Sequence, residues 1–267
     1  MGTNGNTHAE APSILAAHGI ETKLELPGVG ENLQDQTNVA LFYPGRRNES
    51  GFAPYAVFAN VHDLYGEGAT ASLAASTKAK LPDWARAVAD ANGGAVGAQA
   101  IERFFAIQHD LIFARNATVA EALSQVRGDV LQTTAFTQLP FSRGSVHLAP
   151  GSGAVADQPL IDQKWFTVDF DLSVQLTMSR VVTSLWNVEP SNSLLGPGDL
   201  PIPFDATDSE WEAYIAENGK PDRRYYVFKV NDRPLSDLQL PPYGYRGDDV
   251  ARARRGAGPD VDGLRHR

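Results

Sequence analysis

The 267-residue chain has no cysteine. Disulfides, thiolate nucleophiles and cysteine-ligated metals are therefore excluded. Basic residues are in deficit: 23 Lys and Arg stand against 32 Asp and Glu, for a formal charge of −9. That balance argues against nucleic acid as a partner. No apolar run reaches the roughly eighteen residues of a membrane span, so no membrane segment is expected. Met1-Gly2-Thr3-Asn4-Gly5-Asn6 offers neither the basic start nor the apolar stretch of a signal peptide. What remains is a soluble, globular composition, 42% apolar and 21% charged. Its length suits one large domain or two small ones with a real core.

Periodicity supplies the elements. A short helix is expected over 11–17, with Pro12 in its first turn. Thr22-Lys23-Leu24-Glu25-Leu26 alternates as a strand would, and a second strand is expected over 38–43, closed by Pro44-Gly45. Two Ala-rich stretches, 69–91 and 96–113, read as helices separated by Asn92-Gly93-Gly94. Val130 to Phe136 and Gly144 to Leu148 read as strands joined by a turn over 140–143. Residues 170–186 carry apolar side chains at Leu172, Val174, Leu176, Met178, Val181, Val182 and Leu185, the pattern of a buried helix. A last short helix opens near Trp211, with Asp208 or Ser209 as its cap. Val250 to Arg267 sets five arginines among Gly, Ala and Asp, a composition expected to be disordered.

Gly28-Val29-Gly30-Glu31-Asn32-Leu33 is nearly the dinucleotide fingerprint. Leu33 replaces its third glycine, however, and Pro27 stands where a strand should enter. On composition alone a plain turn is the better reading. His18-Gly19-Ile20-Glu21-Thr22, followed by Leu26-Pro27-Gly28-Val29-Gly30-Glu31-Asn32-Leu33-Gln34-Asp35-Gln36, resembles the glucose–methanol–choline (GMC) oxidoreductases. Three further segments agree in order and spacing. Ala56-Val57-Phe58-Ala59-Asn60 resembles a strand after the loop. Leu139-Pro140-Phe141-Ser142-Arg143-Gly144-Ser145-Val146-His147-Leu148 is similar to the family's LPFxRGxVxL segment. Trp211-Glu212-Ala213-Tyr214-Ile215 resembles the helix before its catalytic histidine. The likeness covers about 10–218 and is greatest to the glucose-oxidase-like fungal branch.

The resemblance implies an α+β fold: a substrate domain of antiparallel sheet flanked by helices, with incomplete remnants of an FAD-binding domain. Residues 1–37 would be the remnant and junction loop, 38–218 the substrate-binding domain, and 219–267 a tail foreign to the family. It implies FAD as cofactor and oxidation of a CH–OH donor, sugar or alcohol. In such chemistry a histidine takes the hydroxyl proton while the flavin takes hydride. Gly30, Asn32 and Asp35 would lie on the cofactor side. Phe136, four residues before Pro140, falls where the family places an aromatic at the substrate entrance; an ordinary core Phe is an equal reading. For Asn32 and Asp35 the plainer role is a loop-fixing turn. No catalytic residue is assigned, because the family's glycine-rich motif and its histidine motif are both missing. The chain is therefore expected to be inactive by itself and not to retain FAD. A non-catalytic module holding a carbohydrate or a partner is the alternative.

The histidine motif has a shadow in the tail. Leu238 to Val250, back-translated and read one base out of frame, permits SNYHPMGTAAMM, which resembles the family at this point. The codons of Asp248 and Asp249 can then give only Met or Thr. Gly219-Lys220 can be encoded by a splice-donor-like GGTAAG, and Leu235-Ser236 can carry an acceptor-like CAG. A retained intron is the hypothesis, and it makes the Arg-rich end no nucleic-acid arm.

None of the six histidines pairs at the spacing of a helical metal site. His62 and His109 read as surface residues, and His147 as a sheet-face residue. Arg143-Gly144 reads as a turn with Gly144 at positive φ, Arg143 pairing with an acid across the sheet. Asn48-Glu49-Ser50 and Asn116-Ala117-Thr118 are glycosylation sequons, compatible with the secretion common in the resembled family. Sequencing the transcript across codons 210–250 should show a processed message that spells the histidine motif in frame. A processed message with the sequence unchanged would end the intron hypothesis.

Overall fold

The computed structural model describes residues 12–49, 55–148 and 159–219. The arginine-rich tail and the sequon residue Ser50 lie outside the described residues. In order, the elements are α1 (Pro12–Ala17), β1 (Asn38–Glu49), β2 (Tyr55–Ala59), α2 (Val61–Tyr65), α3 (Glu67–Ala91), α4 (Ala98–Phe113), β3 (Ala120–Thr137), β4 (Ser145–His147), β5 (Leu160–Asp162), α5 (Asp169–Leu185) and α6 (Asp208–Asn218). A 3-10 turn, Ser191–Leu194, follows α5. The α+β class expected from the sequence is what the chain adopts. No helix among the described residues is long and apolar enough to cross a membrane.

The main sheet is antiparallel in the order β1-β3-β2. Although β3 is one extended run, it doubles back on itself. Gln138 N donates to Val119 O at 2.6 Å. Ser124 Oγ meets Thr133 Oγ1 at 3.2 Å, and Gln125 Nε2 donates to Gln132 Oε1 at 3.0 Å. These pairs share one hairpin register, with its turn at Gly128-Asp129. Gly128 takes φ 63, which a tight hairpin turn demands and glycine supplies without steric cost. The first arm pairs with β2, from Tyr55↔Ser124 to Ala59↔Ala120. The second pairs with β1, from Asn38↔Phe136 to Pro44↔Val130. The result is a four-ribbon antiparallel sheet with β1 and β2, consecutive in the chain, at its two edges.

One face of this sheet is buried by alternation. Val39, Leu41, Tyr43, Leu131 and Ala135 are at most 2% exposed. Helix α5 covers that face. Tyr43 Oη meets Thr183 Oγ1 at 2.9 Å, Trp186 Nε1 donates to Thr133 Oγ1 at 3.1 Å, and Gln175 Nε2 donates to the Ala135 carbonyl at 3.2 Å. The helical layer is sealed by an aromatic cluster centred on Phe141, whose ring lies 5.1 Å from Phe105, 5.3 Å from Trp84 and 5.6 Å from Phe170. Such offset and edge-on pairs add to plain area burial.

Three sequence expectations need correction. Residues 22–26 form no strand, and Leu24 and Leu26 are exposed: their alternation has no neighbouring strand to pair with. The last helix is capped by Thr207, not by Asp208 or Ser209. Thr207 Oγ1 accepts from Glu210 N, while Glu210 Oε2 accepts from Thr207 N at 2.7 Å, a reciprocal capping box. Gly144 has no positive φ, and what it supplies is space, as described below. We expect Gly128→Val to cost about 1–2 kcal/mol in chemical denaturation, because a β-branched residue resists that turn. Gly128→Asn should cost less.

Candidate functional site

The loop before β1 is built from consecutive turns. Val29 N donates to Leu26 O at 3.1 Å and Glu31 N to Gly28 O at 3.2 Å. Gly30 takes φ 81 and Asn32 φ 61. The loop is then sewn to the segment over 139–147. Leu33 and Gly144 exchange both backbone hydrogen bonds at 2.8 Å, and Val146 N donates to Gly30 O at 2.7 Å. A Cβ on Gly30 would strike the Val146 carbonyl and the His147 ring. No helix follows within residues 31–37. A pyrophosphate cradle needs a helix N-terminus behind open glycines. Here the glycine contact is taken by β4, so the fingerprint-like turn does not fit the phosphates of a dinucleotide. Gly144 plays the same part on the far side, where a Cβ would collide with the backbone of Asp162 and Gln163.

The segment Pro140–Gly144 is held by a fully buried carboxylate. Asp171, in the first turn of α5, accepts the backbone N–H groups of Phe141 and Ser142, each at 2.8 Å. Burial pushes its pKa up to about 6, against the pull of those bonds, the Ser142 side chain and the charge of Arg143. Arg143 is itself buried, and burial lowers its pKa to about 10. The expected acid partner across the sheet is not what it hydrogen-bonds. Its Nη1 donates to the Pro140 and Ser142 carbonyls and its Nη2 to Gln108 Oε1 at 2.7 Å, with the Phe105 ring 5.5 Å away. Arg143 satisfies backbone carbonyls that a tight buried turn would otherwise orphan. His147 Nε2 donates to Glu31 Oε1 at 2.9 Å. His109 is engaged with the Ala74 carbonyl at 2.9 Å.

The sequence-predicted residues fall into two groups. Gly30 and Asn32 share the turn, and half-buried Asp35 follows, its pKa raised by burial. Phe136 stands elsewhere, on the sheet face turned away from α5, half-buried. The hairpin register sets Glu121 opposite Phe136, and the strand pairings set Asn38 and Phe58 at the two ends of the same row. The row therefore reads Asn38, Phe136, Glu121, Phe58 across four ribbons. Its two rings stand two strands apart, about 10 Å. Phe58 is 60% exposed. Gln138 Nε2 holds Glu121 Oε2 at 2.8 Å, and Gln36 Nε2 donates to Gln138 Oε1, tying the row to the loop. Glu121, Gln138 and Phe58 escaped the sequence reading. The Gly128-Asp129 dipeptide, flanked by alternating residues, was the signal that would have placed them. Among the described residues no group of three or more His, Asp or Glu side chains could hold a metal ion.

No family model matches the chain. Among curated proteins, the glucose oxidase-like protein fsoC of Humicola fuscoatra is 37% identical over 203 residues, covering 74% of this chain and 34% of that protein. A glucose oxidase of Aspergillus carbonarius (strain ITEM 5010) is 31% identical over 218 residues, covering 79% of this chain and 34% of that protein. Among solved structures, an FAD-dependent oxidoreductase from Chaetomium thermophilum matches with a TM-score of 0.62 over 80% of this chain and 41% of its own, at 20% identity. That last likeness concerns the fold alone. With a helix-flanked antiparallel sheet and the loop and strand motifs in place, the chain belongs to the GMC oxidoreductases. Within them it falls with the glucose-oxidase-like proteins, and it spans about a third of the length of the curated relatives it matches.

Asp171 gives the site a pH signature. Its folded pKa of about 6 lies above the ordinary 3.8, so between those values the folded state binds the proton more tightly than the unfolded chain. Its contribution is fullest below pH 3.8 and declines as pH rises through about 6, by about 3 kcal/mol in total. Denaturation across pH 4 to 7 should show that decline in the parent chain. It should be flattened in Asp171→Asn, which at neutral pH also loses one of the two backbone bonds.

Proposed function

We propose that this chain is the substrate side of an FAD-dependent oxidoreductase that oxidises the CH–OH group of a sugar or alcohol. In this reading residues 38–218 form the substrate-binding domain, 1–37 are the remnant and junction on the flavin side, and 219–267 lie outside the domain. The supporting observation is the row Asn38, Phe136, Glu121, Phe58 on the sheet face turned away from α5. Aromatic rings stack on the C–H surface of a sugar, and a carboxylate between them with amides beside it accepts from and donates to its hydroxyls. Phe136 and Phe58 are the walls. Glu121, fixed by Gln138, orients a hydroxyl. Asn32, whose side chain is exposed, and Asp35 would offer polar groups to the flavin from the loop, with Gly30 holding that loop in place. The flavin, when bound, supplies the hydride acceptor. None of His18, His62, His109 and His147 lies in the row, so its part in this reading is binding and orientation. In this reading the chain alone binds an alcohol without oxidising it.

Recombinant protein should purify without flavin absorbance. Titration with glucose, followed by nuclear magnetic resonance, should shift the signals of Phe58, Glu121 and Phe136 with millimolar affinity. Phe136→Ala should weaken binding at least fivefold. A stoichiometric flavin spectrum that bleaches on adding alcohol would contradict the fragment reading. Tight sugar binding that resists Phe136→Ala and Glu121→Gln would favour a non-catalytic module that binds elsewhere.

A further inference from the structure

A small, partly open pocket lies between the Gly28–Asn32 turn, the C-terminal end of α3 and the Pro140–Gly144 segment. Glu31, Asn32, Val88, Asn92, Val96 and Arg143 are among its lining residues. Two acceptors there have no partner within the protein. Glu31 gives one carboxylate oxygen to His147, but its Oε2 is buried and unpaired, on a side chain only 7% exposed. Asn92 donates through Nδ2 to the carbonyls of Val88 at 2.8 Å and Arg143 at 3.0 Å, leaving its buried Oδ1 unpaired. Arg143 does not bond to either: its recorded bonds go to Pro140, Ser142 and Gln108. Buried acceptors of this kind in native proteins find a donor.

The dimensions and charges select that donor. The cavity leaves about 10 Å³ for the centre of a water-sized molecule, which is the room one water needs. The occupant must donate twice, and it must tolerate a guanidinium in the wall. A monovalent cation meets the first need poorly, with only two unpaired oxygens to ligate it, and the second not at all. We infer that a single structural water occupies this cavity, donating one hydrogen to Glu31 Oε2 and the other to Asn92 Oδ1. The water closes a continuous path: His147, Glu31, water, Asn92, and the backbone carbonyl of Arg143. It joins three segments distant in sequence and fixes the turn that carries Gly30 and Asn32. The inference stands apart from the proposed function and holds whatever the chain binds.

Water-oxygen magnetic relaxation dispersion on the whole chain should count one more long-lived water in the parent than in Asn92→Leu, whose side chain fills the cavity. A crystal structure at better than 2 Å should show one peak within about 3.2 Å of both oxygens. Equal counts of long-lived water, or an empty cavity in the density, would overturn the inference. So would an anomalous peak at that point in rubidium-soaked crystals, which would mark a cation. Should Asn92→Leu fail to fold, the parent crystal decides alone.

Discussion

The fold turns on one buried carboxylate. Asp171 projects from the first turn of α5 and takes two successive backbone N–H groups from the Pro140–Gly144 segment. Charge-assisted bonds of this kind are roughly twice as strong as neutral ones. They are needed here, since removing a carboxylate from water is expensive. Once that segment is clamped, the rest follows from it. Phe141 is delivered to the centre of the aromatic cluster, Arg143 is drawn into the interior to serve carbonyls, and Gly144 is set where Leu33 can bridge to it. The loop ahead of β1 thereby acquires its course. Sheet, helices and loop are thus coupled through a few polar bonds rather than through apolar area alone.

Much of the architecture was legible in the sequence. The two Ala-rich helices and their Asn92-Gly93-Gly94 stop are local features, and local propensity governs them. Helix α5 and the first half of β1 were visible because one-sided burial imprints a period. The misses share a cause in distant partners. Alternation at 22–26 means nothing without a neighbouring strand, and Thr207 becomes the cap only when the helix begins at Asp208. Arg143 read as a turn residue because nothing local says that Gln108 waits for it across the core. The short strand β5 and the helix α2 carry too few residues to show a period.

The site was legible in part for the same reason. Phe136 could be singled out from the motif beside it, whereas Glu121 and Phe58 join it only through the hairpin register. The paired glycines suggested phosphate chemistry, yet Gly30 is demanded by the carbonyl and imidazole packed on it. Glycine marks close approach of backbone to something, and the sequence does not say to what.

Strand β2 has a consequence of its own. Tyr55, Val57 and Phe58 are all exposed, and among the described residues the strand is paired on one side only, with β3. It carries no charge, no proline and no bulge, the devices by which natural proteins blunt a bare sheet margin. Among the described residues this five-residue ribbon is thus the place where a further extended segment could add to the sheet.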